Sequence, residues 1–231
     1  SRDELVSELV QDKRFKRMEE QLRSGWSALL KPLAWQGALC YCPSPSSKVA
    51  FTHPASFLKS WEGLPDPAEA APAVIKRYLS AYGPATPETF DAWLSRNSNK
   101  KSTLKGWFSG LGEQIVEVGV EGEPRYLLAE HEDELAATRP SRATHLLGAF
   151  DQFVLGPGTK DTHMLANEHR SLVSKAAGWI APVLTQGGRI TGVWHIDDGH
   201  LVVTPFPGEQ APSSKVLEDA AARLAAVHVS A

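Results

Sequence analysis

The sequence predicts an α+β fold, because one helix–strand–strand pattern occurs twice and strands dominate the last third of the chain. Each copy of the pattern has apolar residues at i, i+3, i+4 and i+7, which places them on one face of a helix. These residues are Trp26, Leu29, Leu30 and Leu33 in the first copy and Leu104, Trp107, Phe108 and Leu111 in the second. A glycine, Gly37 or Gly112, follows each helix, and two strands joined by a turn come next. This order predicts two winged helix-turn-helix units, residues 1–65 and 66–138, before a small β-barrel-like domain at 139–231.

The second unit has the clearest signals. A helix is predicted over residues 73–81, and the next begins with Thr86 as N-cap and Pro87 in the first helical position. Phe90, Trp93 and Leu94 should face inward from it. The third helix is predicted over residues 102–111, and the two strands of the wing over 114–120 and 125–129.

The first unit follows the same order less regularly. Helices are predicted over residues 2–10, 13–23 and 26–36, and the wing strands over 38–42 and 48–52. The unit lacks an opening helix and has an extra basic one at 13–23. Pro32 would distort the last helix unless that helix begins near Lys31.

The C-terminal third has four runs typical of strands, at 146–155, 180–185, 189–196 and 201–206. Hairpin turns are indicated by Gln186-Gly187-Gly188 and Asp197-Asp198-Gly199. A helix is predicted over 213–227. Asp151, within the first run, is expected to be a buried carboxylate that caps backbone donors rather than a catalytic group.

Composition excludes several classes of protein. The chain has 231 residues, of which 42% are apolar and 22% charged, so a wholly disordered protein is excluded. Two cysteines exclude a disulfide framework. No apolar run reaches the roughly 18 residues of a membrane span, so a cytoplasmic protein is expected. The chain begins Ser-Arg-Asp-Glu, without Met or an apolar signal, and we expect it to be a piece of a longer protein.

The net charge of −3 is unevenly distributed. Residues 1–62 carry 9 Lys and Arg against 7 Asp and Glu, and residues 63–138 carry 7 against 12. Local basic clusters are therefore compatible with double-stranded DNA as a partner. The residues predicted to contact DNA lie on two helices, at one helix start and at the tip of the first wing. They are Lys13, Arg14, Lys16, Arg17, Lys31, Lys48, Lys100, Lys101, Ser102, Thr103 and Lys105.

Each of these clusters also has a simpler interpretation. Lys100, Lys101 and Lys105 could form a solvated basic surface, and the cations of residues 13–17 could form intrahelical salt bridges with Glu19 and Glu20. Gly106 and Gly110 lie on the exposed face of the helix at 102–111 and have no side chain to read a base. Contacts to the DNA backbone are therefore expected rather than sequence readout.

No metal or cofactor motif is found. His163, His169 and Glu168 lack further ligands at a usable spacing, so no metal site is predicted. Gly156-Pro157-Gly158 is a turn and not a phosphate-binding loop, because no Gly-Lys-Ser/Thr sequence follows it.

Three motifs resemble a known family. Residues 146–156 (LLGAFDQFVLG) are similar to its LLPxFDxyLLG signature, residues 187–194 (GGRITGVW) to its dGrvvGtW hairpin, and Tyr82–Thr86 with Trp93 to its YGPAT…W helix start. The family comprises bacterial winged-helix DNA-binding proteins, including alkylpurine DNA glycosylases that unhook interstrand crosslinks. The resemblance implies three tandem winged helices and a β-barrel around a DNA channel, of which this chain would carry the second, the third and the barrel.

The resemblance also implies where the catalytic residues of such a protein would lie. The glycosylases of the family use a Gln-x-Gln or Gln-x-Asp motif in the first winged helix. No glutamine of this chain has Gln or Asp two positions later, so we expect the catalytic residues, if any, in a segment before Ser1. Part of a repair glycosylase acting on alkylated or crosslinked DNA is the expected function. A winged-helix transcription regulator and a protein-interaction module are the alternatives. Catalytic residues and oligomeric state are not predicted.

Overall fold

A computed structural model describes residues 1–24, 29–44 and 49–229, and of residues 227–229 only the backbone. The chain divides into two compact units, Ser1–Ala70 and Ala71–Ala231, and each is considered by itself. The predicted Lys48 and the predicted helix start at Trp26 lie outside the described residues.

The first unit is mostly helical. Its elements are the helices α1 (Arg2–Leu9), α2 (Lys13–Lys16), α3 (Glu19–Arg23), α4 (Lys31–Trp35) and α5 (Pro54–Phe57) and the strands β1 (Cys40–Cys42) and β2 (Ala50–Thr52). The two strands pair antiparallel as a short wing. Val6, Leu22 and Leu30 form the buried centre of the unit.

Two predicted helices of this unit are different in the structure. The helix predicted over 13–23 is broken into α2 and α3 at Arg17 and Met18. Asp12 caps the start of α2 by accepting from the Arg14 N–H, whereas no side chain caps the start of α3. The helix predicted over 26–36 is α4 from Lys31, with Pro32 in its first turn, where a proline needs no N–H partner. Leu33, on the predicted apolar face, is 37% exposed.

The second unit opens with a winged helix-turn-helix. Three helices, α6 (Pro67–Tyr82), α7 (Pro87–Ser95) and α8 (Lys101–Ser109), precede the antiparallel strands β3 (Ile115–Val120) and β4 (Glu123–Leu128). Phe90, Leu104, Phe108 and Leu111 are buried in one core with α6. Trp93 and Leu94, predicted to face inward, are 41% and 44% exposed. An unpredicted acidic helix, α9 (Glu132–Ala137), follows the wing.

The C-terminal part is an open sheet. Strands β5 (Thr144–Leu147), β6 (Val183–Gln186), β7 (Arg189–Asp197) and β8 (His200–Pro205) pair in the order β5-β6-β7-β8, all antiparallel. The strands after the two glycine turns are confirmed. Within the part of the chain that the structure describes, β8 does not pair with β5, so the predicted barrel is not closed.

Helices cover this sheet where a barrel would have closed. The helix α12 (Ser214–Val229) packs over Leu146 and Leu184, and Arg223 donates to the Thr144 carbonyl oxygen at 2.8 Å, which occupies part of the free edge of β5. Short helices α10 (Gln152–Leu155) and α11 (Arg170–Val173) lie in the segment whose buried residues pack on the opposite face, around Val183. The α+β class is therefore confirmed.

The strand predicted over 146–155 ends at Leu147. Asp151 starts α10 by accepting a hydrogen bond from the Phe153 N–H at 2.8 Å. The predicted capping role of Asp151 is confirmed, although the residue is only partly buried. A helix start in this place explains why the second half of the run is helical.

Candidate nucleic-acid interface

The turn between α7 and α8 is organised by one buried carboxylate. Asp91 on α7 is 2% exposed and accepts from the Ser95 Oγ at 2.5 Å and from the Asn99 Nδ2 at 2.6 Å. The backbone N–H of Asn99 also donates to it, at 3.3 Å. These hydrogen bonds satisfy the buried charge and fix the chain that enters α8.

Two residues of this turn have left-handed backbone conformations. Arg96 has φ 58° and Asn97 has φ 63°, and the Asn97 N–H donates to the Asp91 carbonyl oxygen at 3.2 Å. Such angles are uncommon outside glycine and need support from the surrounding structure. The Asp91 network supplies that support, so the amino end of α8 is held in one orientation.

The amino end of α8 combines positive side chains with backbone donors. Lys100, Lys101, Ser102 and Lys105 are exposed, whereas Thr103 is partly buried. No side chain caps the helix start. Among the described residues, none of the three lysines has a carboxylate within ion-pair distance, so their charges remain available to an anion such as a phosphate.

A groove lies beside these lysines. It encloses about 410 Å³ between the start of α7, one face of α8 and the wing. Lys101 and Lys105, one helical turn apart, line it together with Glu88 and Glu117. The two carboxylates offset the charge of the lysines inside the groove, whereas Lys100, the N-cap residue of α8, does not line it.

The wing is tied to the C-terminal part of the same unit. Arg125 on β4 forms an ion pair with Asp161 at 3.5 Å, and both side chains are nearly buried, 12% and 11% exposed. At the wing tip, His163 Nδ1 lies 2.9 Å from the Glu121 carboxylate. These contacts fix the wing on a segment that sequence reasoning had not connected with it.

The basic cluster of the first unit is only partly available. Arg14 binds Asp12 at 2.6 Å, and this contact lowers the pKa of the Asp12 carboxyl. Lys13, Lys16 and Arg17 are exposed and have no ion pair within the described ranges. The salt bridges considered from these cations to Glu19 and Glu20 do not form, since Glu19 binds Arg23 at 3.0 Å.

One further residue of the first unit, Lys31, was predicted to contact DNA. Lys31 is exposed at the start of α4, a helix with no buried residue.

Among the described residues there is no group of three or more His, Cys, Asp or Glu arranged to hold a metal ion. No helix in the described ranges has the length and apolarity that a membrane crossing requires.

Sequence reasoning missed Asp91 and Arg125. Asp91 is buried and Arg125 nearly buried, and their partners, Asn99 and Asp161, lie outside the helix or strand that carries them. One signal was present for Asp91: it follows the buried Phe90 on the inner side of an amphipathic helix, where an unpaired carboxylate would be costly.

A winged helix-turn-helix with a basic recognition-type helix defines a class of DNA-binding proteins. Comparison with known sequences narrows the class, because the family model "DNA glycosylase AlkZ-like" matches residues 1–227. This chain therefore belongs to the AlkZ-like DNA glycosylase family, and the resemblance seen in its motifs is confirmed.

One relative from Streptomyces sahachiroi is described both by sequence and by structure. The chain is 57% identical over 226 residues to a protein named interstrand DNA cross-link repair glycosylase. The solved structure of the Streptomyces sahachiroi DNA glycosylase AlkZ matches with a TM-score of 0.89. In both comparisons the match covers 97% of this chain and 61% of the relative.

Proposed function

We propose that this chain binds double-stranded DNA and forms the DNA-binding part of a repair glycosylase acting on alkylated or crosslinked DNA. The observation that carries the proposal is the amino end of α8, where Lys100, Lys101 and Lys105 have no carboxylate partner in the described structure and the buried Asp91 holds the helix start in place. A DNA partner would place the protein in the cytoplasm, where bacterial chromosomes lie.

Binding would depend on the phosphate backbone and on DNA shape. The exposed face of α8 offers Lys101, Ser102 and Lys105, and next to them Gly106, which has no side chain. Lysines and hydroxyls contact phosphates well, and Gly106 offers no side-chain donor or acceptor to a base edge, so phosphate contacts are favoured over base readout. A protein that searches for lesions needs this kind of sequence-independent binding.

The first unit would add further phosphate contacts. Lys13, Lys16 and Arg17 are exposed on and after α2, and Lys31 begins α4. Arg14 would contribute less, since its guanidinium already binds Asp12. These residues, like Ser102 and Thr103 on α8, are proposed contacts whose roles rest on charge, hydrogen-bonding capacity and exposure.

Glycosylase chemistry requires more than this surface. The damaged nucleotide must leave the stack, and polar groups must stabilise the sugar cation that forms when the base departs. The substrate is proposed from the family, whose named relative is an interstrand cross-link repair glycosylase.

A salt titration of DNA binding tests the proposal. Affinity for a random-sequence duplex should fall about 40-fold between about 50 and about 200 mM salt if three phosphate contacts are made, because each releases close to one counterion. Undetectable binding at low salt, or affinity indifferent to salt, would contradict it. Selection from random DNA should return no sharp motif, whereas a sharp motif would favour a transcription regulator.

A further inference from the structure

Two aromatic side chains stand together on the surface of the C-terminal part. The rings of Phe150 and Trp179 are 4.9 Å apart between centroids and nearly perpendicular, at 82°. Phe150 is 41% exposed and Trp179 is 51% exposed. The edge-to-face contact is a favourable aromatic geometry, but it leaves much apolar area in water.

The loop that carries Trp179 is anchored on both sides. The Lys175 N–H donates to the Trp179 carbonyl oxygen at 2.8 Å, and the Ala181 N–H donates to the Val173 carbonyl oxygen at 2.9 Å. Val173 is fully buried, and Ile180, next to Trp179, is 7% exposed. The indole is therefore held out from the core by a closed loop.

Both aromatic residues are also positioned by unusual backbone angles. Phe150 has φ 59°, and Ala177, two residues before Trp179, has φ 55°. A bulky residue in the left-handed region is rare, and such angles concentrate at binding sites. Asp151 fixes the other side of Phe150 by capping α10. Two ordered loops therefore hold the side chains of Phe150 and Trp179 at the surface.

The chain segments that carry the pair are basic. Segments 139–150 and 170–179 contain four Lys and Arg residues and no carboxylate; these are Arg139, Arg142, Arg170 and Lys175. The adjacent Asp151 carboxylate is engaged in its cap. An anionic ligand with a flat apolar part complements this combination of aromatic rings and cations, and a nucleotide has both features.

We propose that Phe150 and Trp179 form a stacking surface for a nucleobase that has left the DNA stack. This inference rests on the proposed function, since it assumes that the chain binds DNA. Aromatic rings stack on any base because every base has a π face, so the pair would favour distorted or unpaired DNA over intact duplex without reading sequence. Stacking would add a preference for damaged, distorted DNA to the sequence-independent binding by the lysines.

The test compares two DNAs and two kinds of variant. Wild-type chain should bind a duplex with one unpaired nucleotide more tightly than the matched duplex. Phe150→Leu and Trp179→Leu keep apolar volume but remove the π face, and each should reduce affinity for the distorted duplex about tenfold, within the range for base–aromatic stacking. Affinity for matched duplex and the dependence on salt should stay as in wild type.

The controls separate stacking from general apolar contact. Leu172→Ala removes an apolar side chain, 37% exposed, from the same segment and should change neither affinity. Trp179→Phe keeps an aromatic ring and should retain most of the preference. Circular dichroism and thermal unfolding establish that each variant is folded.

The outcomes distinguish this inference from the proposed function. If matched duplex binds with the expected salt dependence but both leucine variants keep the preference of wild type, the stacking surface is refuted and the DNA-binding function stands. The stacking surface is also refuted if the leucine variants lose the same affinity for matched duplex as for distorted duplex. A protein partner that loses binding to the leucine variants, while both DNAs bind as before, would assign the pair to a protein interface instead.

Discussion

Asn99 donates both its backbone N–H and its side-chain amide to the Asp91 carboxylate, across the turn that joins α7 to α8. Asp91 is buried and Asn99 directly precedes Lys100, the last residue before the basic helix. A buried hydrogen-bond network and an exposed cationic surface are thus one residue apart. The orientation of the lysines therefore depends on a side chain that never contacts solvent.

Asp91→Ala should destabilise the protein and weaken DNA binding together. It leaves the Ser95 hydroxyl without an acceptor and the Asn99 amide with the Ser95 Oγ alone, at 3.1 Å, which should lower the free energy of unfolding by about 3 kcal/mol. Urea unfolding measures the loss. Ser98→Ala, in the same turn but with no side-chain hydrogen bond to Asp91, is the control, and an equal loss in that variant would contradict the role given to the carboxylate.

Removing the wing contact should cost stability because it leaves a nearly buried charge poorly compensated. Asp161→Ala leaves the Arg125 guanidinium with only the exposed Glu123 carboxylate, 3.8 Å away, and we expect a loss of about 2 kcal/mol in urea unfolding. Arg125→Met combined with Asp161→Ala removes both charges and should recover part of that loss. A double variant as unstable as the sum of the two single ones would show that the residues do not interact.

Tyr78 should make stability depend on alkaline pH. Burial raises the pKa of its phenol above the ordinary value of 10.0, and the nearby Thr89 hydroxyl opposes this effect only in part. Above about pH 10 the unfolded chain loses the proton that the folded chain retains, so the free energy of unfolding falls as pH rises. Tyr78→Phe should remove this part of the decline. Identical pH profiles for the two proteins would oppose the assignment.

The chain should release no alkylated base from methylated DNA. None of its glutamines has Gln or Asp two residues later, so the pair to which the motif resemblance assigns catalysis is not among these 231 residues. Chromatography of the bases released from methylated DNA gives the answer. Detectable 7-methylguanine above a no-protein control would overturn this prediction and show that catalysis resides in other residues.

Local chemistry made much of the fold predictable. Thr86 and Pro87 start α7 as expected, because a cap and a first-turn proline act within four residues. Gly187 and Gly188 both have positive φ and form the turn between β6 and β7. The burial of Leu104 and Phe108 followed from helical spacing and left the lysines of α8 on the exposed face.

Features that depend on distant partners were not predictable in this way. The barrel fails to close because β5 has Arg223 and α12 at its edge instead of β8, and nothing in the strand sequences signals that choice. The break between α2 and α3 at Arg17 and Met18 lies in a stretch whose composition suits one continuous helix. The partners of Asp91 and Arg125 likewise become visible only in three dimensions.

The most direct measurement of the central claim is the salt dependence of duplex binding by a lysine variant. The triple variant Lys100→Gln, Lys101→Gln, Lys105→Gln should bind random duplex more weakly and lower the slope of log affinity against log salt by about 3, close to one for each lost phosphate contact. Lys215→Gln, an exposed lysine in the first turn of α12, should leave the slope almost unchanged. A triple variant with the affinity and salt slope of the wild type would contradict the claim that α8 binds DNA.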